Sequence, residues 1–90
     1  MPRYDITVTG RVQGVGFRYF AQLEAKQREL TGWVKNEDDG SVRMEAEGKE
    51  EALNNFIRAL AQARYPAEVD DIIPLTIESV ETESDFRIIH

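Results

Sequence analysis

The chain has no cysteine and a single histidine, His90. Without cysteine it cannot form a disulfide, a zinc–thiolate cluster or a thiol nucleophile, and one histidine is too few for the usual metal and hydrolase sites. The N-terminus lacks the apolar stretch of a signal peptide, and no apolar run reaches the roughly 20 residues of a membrane-spanning helix. We therefore predict a cytoplasmic protein with no membrane partner that is neither a metalloenzyme nor a Ser-His-Asp hydrolase.

Positive charge is scarce overall but is concentrated in one part of the chain. The net charge is −6, and proteins that bind polyanions are normally basic over the surface they use, so we expect no nucleic-acid partner. Residues 1–36 nevertheless carry six Lys/Arg against three Asp/Glu, whereas residues 37–90 carry five against fourteen. A site for a small anion is therefore expected within the first forty residues.

The periodicity of apolar residues predicts one domain over residues 1–90, with the 90-residue length allowing a single two-layer core. Pro74 interrupts an apolar run, which indicates that the fourth strand begins at or lies on an edge of the sheet. A short fifth strand is possible at 86–89. The other predicted elements, in chain order, are a strand at 4–9, a helix at 17–29, strands at 31–36 and 42–47, a helix at 49–63 and a strand at 75–81.

This order of elements predicts an α+β fold, the ferredoxin-like split βαβ sandwich (βαββαβ), with an antiparallel sheet and both helices on one face. Trp33, Met44 and Phe56 are expected in the core. A right-handed crossover makes strands 1 and 2 parallel, with strand 3 between them, so their carboxyl ends lie about 9–10 Å apart. The loop after strand 1 and Asn36 at the end of strand 2 are therefore expected to be neighbours.

A glycine-rich loop, residues 10–16, separates the first strand from a helix whose first turn carries Arg18. Such a loop can turn its backbone N–H groups toward an anion, and an arginine fork can hold two oxygens of a phosphoryl group. Alternatively the glycines only make a sharp turn and Arg18 is a solvated surface residue, and the spacing alone favours neither interpretation. Asn36 viewed alone is more typical of a turn residue, and His90 of a frayed terminus.

Two stretches of this sequence closely resemble the signature motifs of the acylphosphatase family. They occur in the family's order and at its separation, and the resemblance is specific over residues 4–60 and thin afterwards. The matching residues are Val8-Thr9-Gly10-Arg11-Val12-Gln13-Gly14-Val15-Gly16-Phe17-Arg18 and Gly32-Trp33-Val34-Lys35-Asn36.

The resemblance implies hydrolysis of small acyl phosphates to a carboxylate and inorganic phosphate, without metal or other cofactor. It implies that Arg18 binds the phosphoryl group and that Asn36 orients the attacking water. We also expect a monomer, with inorganic phosphate and sulfate as competing anions. The resemblance further implies a phosphate-binding loop made by the backbone amides of Gln13, Gly14, Val15, Gly16, Phe17 and Arg18.

Two other functions fit the same strand order. A non-catalytic ferredoxin-like module that senses anions would need the loop and Arg18 but has no evident use for Asn36. An RNA-recognition module would expose aromatic side chains on its central strands, whereas the third strand here offers Arg43, Glu45 and Glu47 on its outward face. The hydrolase is therefore our main prediction, with the anion-sensing module as the alternative.

Overall fold

The computed structural model describes residues 1–90, which form five strands and two helices. The sheet has the strand order β4-β1-β3-β2-β5. The predicted ferredoxin-like order of elements is confirmed, and both helices end within two residues of their predicted limits. The elements are β1 (Arg3–Arg11), α1 (Phe17–Gln27), β2 (Thr31–Asn36), β3 (Val42–Glu47), α2 (Glu50–Ala61), β4 (Glu68–Ile77) and β5 (Phe86–Ile89).

The core lies between the two helices and one face of the sheet. Alternate residues of each central strand point into it, as the period of a half-buried strand requires. Phe56 of α2 meets Phe86 of β5 edge to face, with ring centroids 6.1 Å apart. Helix α2 itself packs on the β4 side of the sheet, and α1 packs on β2 and β5. Residues with no exposed surface include Ile6, Val8, Ala21, Ala25, Val34, Val42, Met44, Ala46, Leu53, Phe56, Leu60 and Phe86.

The sheet is mixed, not fully antiparallel, because β5 pairs with β2 in the parallel sense. The possible fifth strand at 86–89 is thus confirmed. A connection over residues 78–85 carries the chain from β4 at one edge of the sheet to β5 at the other. Neither helix is long and apolar enough to cross a lipid bilayer.

The predicted fourth strand at 75–81 is wrong in position, since β4 spans Glu68–Ile77. As an edge strand with one uncovered face it leaves Ile73 and Leu75 exposed, which weakens the apolar alternation that marks a strand. Pro74 lies inside β4 opposite Ile6 of β1, and an edge strand tolerates proline because its outer backbone groups are unpaired. The prediction that proline marks a sheet edge is therefore confirmed.

Trp33 is not a core residue, contrary to the prediction. Its neighbour Val34 is fully buried, so Trp33 points to the face of the sheet that carries no helix. There the ring lies beneath two cations, with the Arg43 guanidinium 5.4 Å and the Lys35 ammonium 5.9 Å from its centroid. Cation–π contacts of this kind stabilise an aromatic ring at a half-exposed position. Met44 and Phe56 are buried as predicted.

Arg3 is the one buried cation of the uncovered face, at 2% exposure. Its guanidinium contacts Glu83 at 2.7 Å, Glu45 at 2.8 Å and Glu47 at 3.2 Å. Glu47 also accepts the N–H groups of Val80 at 2.9 Å and Glu81 at 3.1 Å. This ion cluster therefore fixes the 78–85 connection at the end of the sheet that is opposite the glycine loop.

Candidate active site

The glycine-rich loop runs from the end of β1 to the start of α1 and is anchored at both ends by buried side chains, Val12 and Phe17. Between them Gly14 and Gly16 adopt left-handed backbone angles, with φ of 73° and 79°. Any other residue is disfavoured at such angles. No atom lies within 4 Å of the position where a side chain would stand at either glycine, so the space above the loop is open.

The N-terminus of α1 has no side-chain cap and no acidic residue in its first turn. The first amides of a helix have no acceptor within the helix, and they lie at the positive end of its dipole. The amides that follow Gly16 are therefore free to donate to a ligand. The glycine loop and this helix start together have the donor arrangement of an anion site.

Asn36 is the last residue of β2 and points to the same side of the sheet as the buried Val34. Its Oδ1 atom is buried and has no hydrogen-bond partner. Buried acceptors without a partner are uncommon, and one that faces a pocket is placed to accept from a ligand or a water. The expected proximity of Asn36 and the glycine loop is found, because both line one pocket of about 270 Å³. The pocket is lined by Val12, Gly14, Gly16, Phe17, Arg18, Tyr19, Asn36, Ile88 and His90.

Arg18 lines the same pocket from the first turn of α1. Its Nη1 donates to the carbonyl of Ile89 at 3.2 Å, and one turn later Gln22 Nε2 donates to the carbonyl of Phe86 at 3.0 Å. Two side chains of α1 thus bind the two ends of β5. Arg18 forms no ion pair with a carboxylate of the chain. Its positive charge is available to an anion, and its orientation depends on β5.

His90 is not a frayed terminus, as the sequence suggested, but a wall of the pocket. Phe86 and Ile88 of β5 face the helices, and the alternation of the strand turns His90 the same way. Its Nδ1 lies 3.5 Å from Arg18 Nη1. The sequence contained this signal, since residues 86, 88 and 90 share one face of a strand.

The side chain of Gln13 has a role that the sequence did not reveal, since only its backbone amide was predicted to matter. Gln13 Nε2 donates to the carbonyl of Glu37 at 2.7 Å and to that of Ser41 at 2.8 Å. Both acceptors belong to the turn between β2 and β3, directly after Asn36. One amide group therefore holds the glycine loop at a fixed position relative to Asn36.

The β2–β3 turn is itself fixed by Asp39. The hydroxyl of Ser41 donates to Asp39 Oδ1 at 2.6 Å and its backbone N–H donates at 2.9 Å. These two hydrogen bonds hold the pKa of the Asp39 carboxyl below its usual value. The Ser41 N–H is thus engaged while its carbonyl stays available to Gln13. Asp39 makes no ion pair and is exposed to solvent.

The site contains no cluster of metal ligands: nowhere in the chain do three or more His, Asp or Glu side chains come together in an arrangement that could hold a metal ion. The lining residues bring one guanidinium, one side-chain amide, one imidazole, the phenol of Tyr19 and backbone N–H groups to the pocket. These groups can bind an anion and can accept a hydrogen bond from a water through Asn36.

Comparison with known proteins identifies the family. The family model described as acylphosphatase matches residues 4–88. The curated acylphosphatase of Bacillus subtilis (strain 168) is 49% identical over 90 residues, which are 100% of this chain and 99% of that protein. The crystal structure of acylphosphatase from Bacillus subtilis superposes with a TM-score of 0.95 at 49% identity, with all of both chains covered.

A more distant solved structure gives the same result. An acylphosphatase from Coxiella burnetii has a TM-score of 0.90 at 35% identity, and the match covers 98% of this chain and 92% of that one. The fold is thus shared at 49% and at 35% sequence identity. The whole-length match in sequence and in fold shows that this chain belongs to the acylphosphatase family.

Proposed function

We propose that this chain hydrolyses the carboxyl–phosphate bond of small acyl phosphates in the pocket between the glycine loop and Asn36. A water oxygen forms a bond to phosphorus while the bond from phosphorus to the acyl oxygen breaks. The electron pair of the broken bond leaves with the carboxylate. The water proton passes to an oxygen of the phosphate, so the products are a carboxylate and inorganic phosphate.

The observation that carries the proposal is that Asn36, whose buried Oδ1 has no hydrogen-bond partner, lines the same pocket as Arg18. A phosphoryl group held by Arg18 would lie next to a free hydrogen-bond acceptor. An acceptor is of no use to the phosphate oxygens themselves, because they carry negative charge. It suits a water molecule, which can donate a hydrogen bond to Asn36 Oδ1 and direct a lone pair at phosphorus.

The remaining parts of the pocket bind and stabilise the transferring group. The amides of Gln13 to Arg18 donate to the non-bridging oxygens, with the helix start adding its positive potential. The Arg18 fork holds two of these oxygens and opposes the charge that spreads over them in the transition state. Phosphoryl transfer asks mainly for positioning and charge stabilisation, and a carboxylate leaves without protonation. No acid, base or metal is therefore needed.

Three further parts of the proposal concern the setting of the reaction. Inorganic phosphate and sulfate occupy the same loop and compete with substrate. The chain acts as one domain over residues 1–90, and its single continuous core supports this. It acts in the cytoplasm and as a monomer. The net charge of −6 and the proline in the edge strand β4 support the monomeric state, since both oppose association between copies of the chain.

The anion-sensing alternative predicts a different behaviour of Asn36. A binding module would use the Nδ2 donors of Asn36 but has no use for its buried Oδ1, an acceptor without a partner. A buried acceptor with no partner is costly, and a binding function gives no reason to keep it. The orphaned oxygen therefore favours the hydrolase.

The test is turnover of benzoyl phosphate by the purified chain in excess EDTA, followed by loss of the substrate's ultraviolet absorbance. We expect hydrolysis that EDTA does not reduce, together with competitive inhibition by phosphate and sulfate. Asn36→Ala serves as the matched inactive variant. Binding of phosphate without any turnover would favour the anion-sensing module, and turnover that appears only with added magnesium or zinc would contradict the mechanism.

A further inference from the structure

A second, mostly apolar crevice lies beside the glycine loop, on the side away from Asn36. It has a volume of about 280 Å³, nearly that of the phosphate pocket. Its walls come from the loop and α1 on one side and from the segment between α2 and β4 on the other. The main apolar residues are Val15, Phe20, Tyr65 and Pro66. Tyr65 is 85% exposed, an unusual amount for an aromatic side chain with no partner in the chain.

The crevice adjoins the phosphate pocket. Gly16 and Phe17 line both spaces, and Gly16 has no side chain to separate them. No atom lies within 4 Å of the position of a Cβ at Gly16, so no other side chain covers the loop where the two spaces adjoin. A molecule bound at the loop amides therefore lies next to the crevice.

The sheet order places Asn36 and the crevice on opposite sides of the bound phosphoryl group. The glycine loop follows β1, and Asn36 ends β2, which lies two strands away in the direction of β5. The segment before β4 lies in the other direction, because Glu68 at the start of β4 pairs with Arg11 at the end of β1. In phosphoryl transfer the attacking and leaving oxygens are roughly in line with phosphorus between them. A water held by Asn36 therefore directs the leaving carboxylate toward the crevice.

We propose that this crevice binds the acyl group of the substrate and makes the chain selective for acyl phosphates with an apolar, planar acyl group such as benzoyl. The inference rests on the proposed function, since it assigns the second half of the same substrate. Tyr65 and Phe20 are the side chains that contact the acyl ring. Small ligand sites span about 300 Å³ and upward, so a crevice of this size takes one ring and no larger group.

The test compares kcat/KM for benzoyl phosphate and acetyl phosphate in the wild-type chain and in Tyr65→Ala. We expect the variant to lower the benzoyl-to-acetyl ratio by about three- to tenfold, the value of one aromatic contact. Tyr65→Phe keeps the ring and should retain the wild-type ratio. Leu75→Ala removes another exposed apolar side chain, on the uncovered sheet face remote from the site, and should also retain it.

A binding measurement without turnover separates this proposal from the proposed function. Benzylphosphonate should inhibit more tightly than methylphosphonate, and the difference should shrink in Tyr65→Ala. An unchanged ratio in Tyr65→Ala, or an equal loss for both substrates, would overturn the acyl subsite while leaving the hydrolase intact. If neither substrate is hydrolysed, the proposed function fails, and the phosphonate pair still decides whether the crevice discriminates between organic groups.

Discussion

The side-chain amide of Gln13 lies 2.7 Å from the carbonyl oxygen of Glu37, the residue directly after Asn36. This hydrogen bond and its companion to Ser41 join the two halves of the pocket, which are 23 residues apart in sequence. They are the only side-chain hydrogen bonds between the glycine loop and the β2–β3 turn. The spacing between the loop amides and Asn36 is therefore set by a residue that touches neither the phosphate oxygens nor the water through its side chain.

We expect Gln13→Ala to lower kcat by about one to two decades, because a displacement of about 1 Å between reacting groups costs this much. The loss of two hydrogen bonds should also lower the free energy of unfolding by about 1–3 kcal/mol, while each carbonyl keeps one backbone donor, the Gly40 N–H for Glu37 and the Glu37 N–H for Ser41. Steady-state kinetics and urea unfolding measure the two effects. Gln27→Ala is the control, since Gln27 is exposed and makes no hydrogen bond through its side chain. A Gln13 variant with full activity would show that the turn alone fixes Asn36.

We expect Arg18→Lys to weaken phosphate binding by about ten- to a hundredfold. Lysine keeps the charge but loses the fork that holds two oxygens, and the loss of such an ionic hydrogen bond is worth about 1.5–3 kcal/mol. Lysine also cannot donate to phosphate and to the Ile89 carbonyl with the same geometry. Isothermal titration with phosphate measures the change, with Arg58→Lys on the outer side of α2 as the control. Wild-type affinity in Arg18→Lys would return Arg18 to the role of a surface residue.

Asn36→Ala separates binding from chemistry. The variant leaves the loop amides and Arg18 in place, so phosphate affinity should stay near wild type while kcat collapses. Stability should be unchanged or higher, because the substitution removes a buried acceptor that has no partner and costs about 1–3 kcal/mol. Asp at this position should be as inactive as Ala, because its charge repels the substrate.

The control for this experiment is Asn54→Ala, which removes an exposed asparagine from α2. Phosphate affinity, kcat and thermal melting are measured on both variants. A destabilised Asn36→Ala that still turns over substrate would assign Asn36 to turn formation and remove it from the mechanism.

The ion cluster of Arg3 predicts a pH-dependent stability. Burial alone would raise the pKa of Glu47, but the Val80 N–H, the Arg3 guanidinium and the Glu81 N–H together hold it below its usual value. A carboxyl whose pKa is lower in the folded state stabilises the fold above its unfolded pKa, and this contribution is lost as the pH falls through the folded pKa. The wild-type chain should therefore lose stability from about pH 4.5 downward.

Arg3→Leu should destabilise the chain by about 3–5 kcal/mol at pH 7, because it leaves three carboxylates together without their cation. The difference in free energy of unfolding between this variant and the wild-type chain should decrease toward pH 4, where protonation of the carboxylates relieves their repulsion. Urea unfolding between pH 4 and 8 measures this, with the exposed Arg87→Leu, which loses a contact to the same Glu83, as the control. A loss of stability that does not change with pH would contradict its assignment to repulsion among the three carboxylates. Activity per folded molecule should not change, since the cluster lies at the far end of the sheet.

Successive residues of a strand point to opposite faces of the sheet, and this alternation explains most of what the sequence could and could not predict. The alternation of apolar residues predicted both β1 and β3, and the right-handed crossover between β1 and β2 predicted the proximity of the glycine loop to Asn36. The same alternation places Trp33 on the face of the sheet opposite the buried Val34, although the large apolar side chain of Trp33 suggested a core position. In β4 the alternation is weak, because an edge strand with one uncovered face buries few of its side chains. The first residue of β4 therefore could not be predicted from the sequence.

The side-chain contacts of the site were beyond prediction for a different reason. Gln13 and Gln22 donate to backbone carbonyls, and every residue type offers the same carbonyl. The acceptors lie between 24 and 64 residues away along the chain. No local pattern can reveal such a pair, so only the assembled fold identifies these two glutamines as parts of the site.

Because the shortest strand of the sheet carries part of the pocket, the site can come apart while the rest of the fold persists. β5 has four residues, lies at an edge, and supplies Ile88 and the carbonyl that binds Arg18. Short edge elements open by local unfolding at a lower free energy than the core. Anion binding, which requires β5 in place, should slow amide hydrogen exchange over Phe86–Ile89 by about a hundredfold at a ligand concentration of a hundred times Kd. Exchange at these few amides thus reports occupancy of the pocket even in a variant that performs no chemistry.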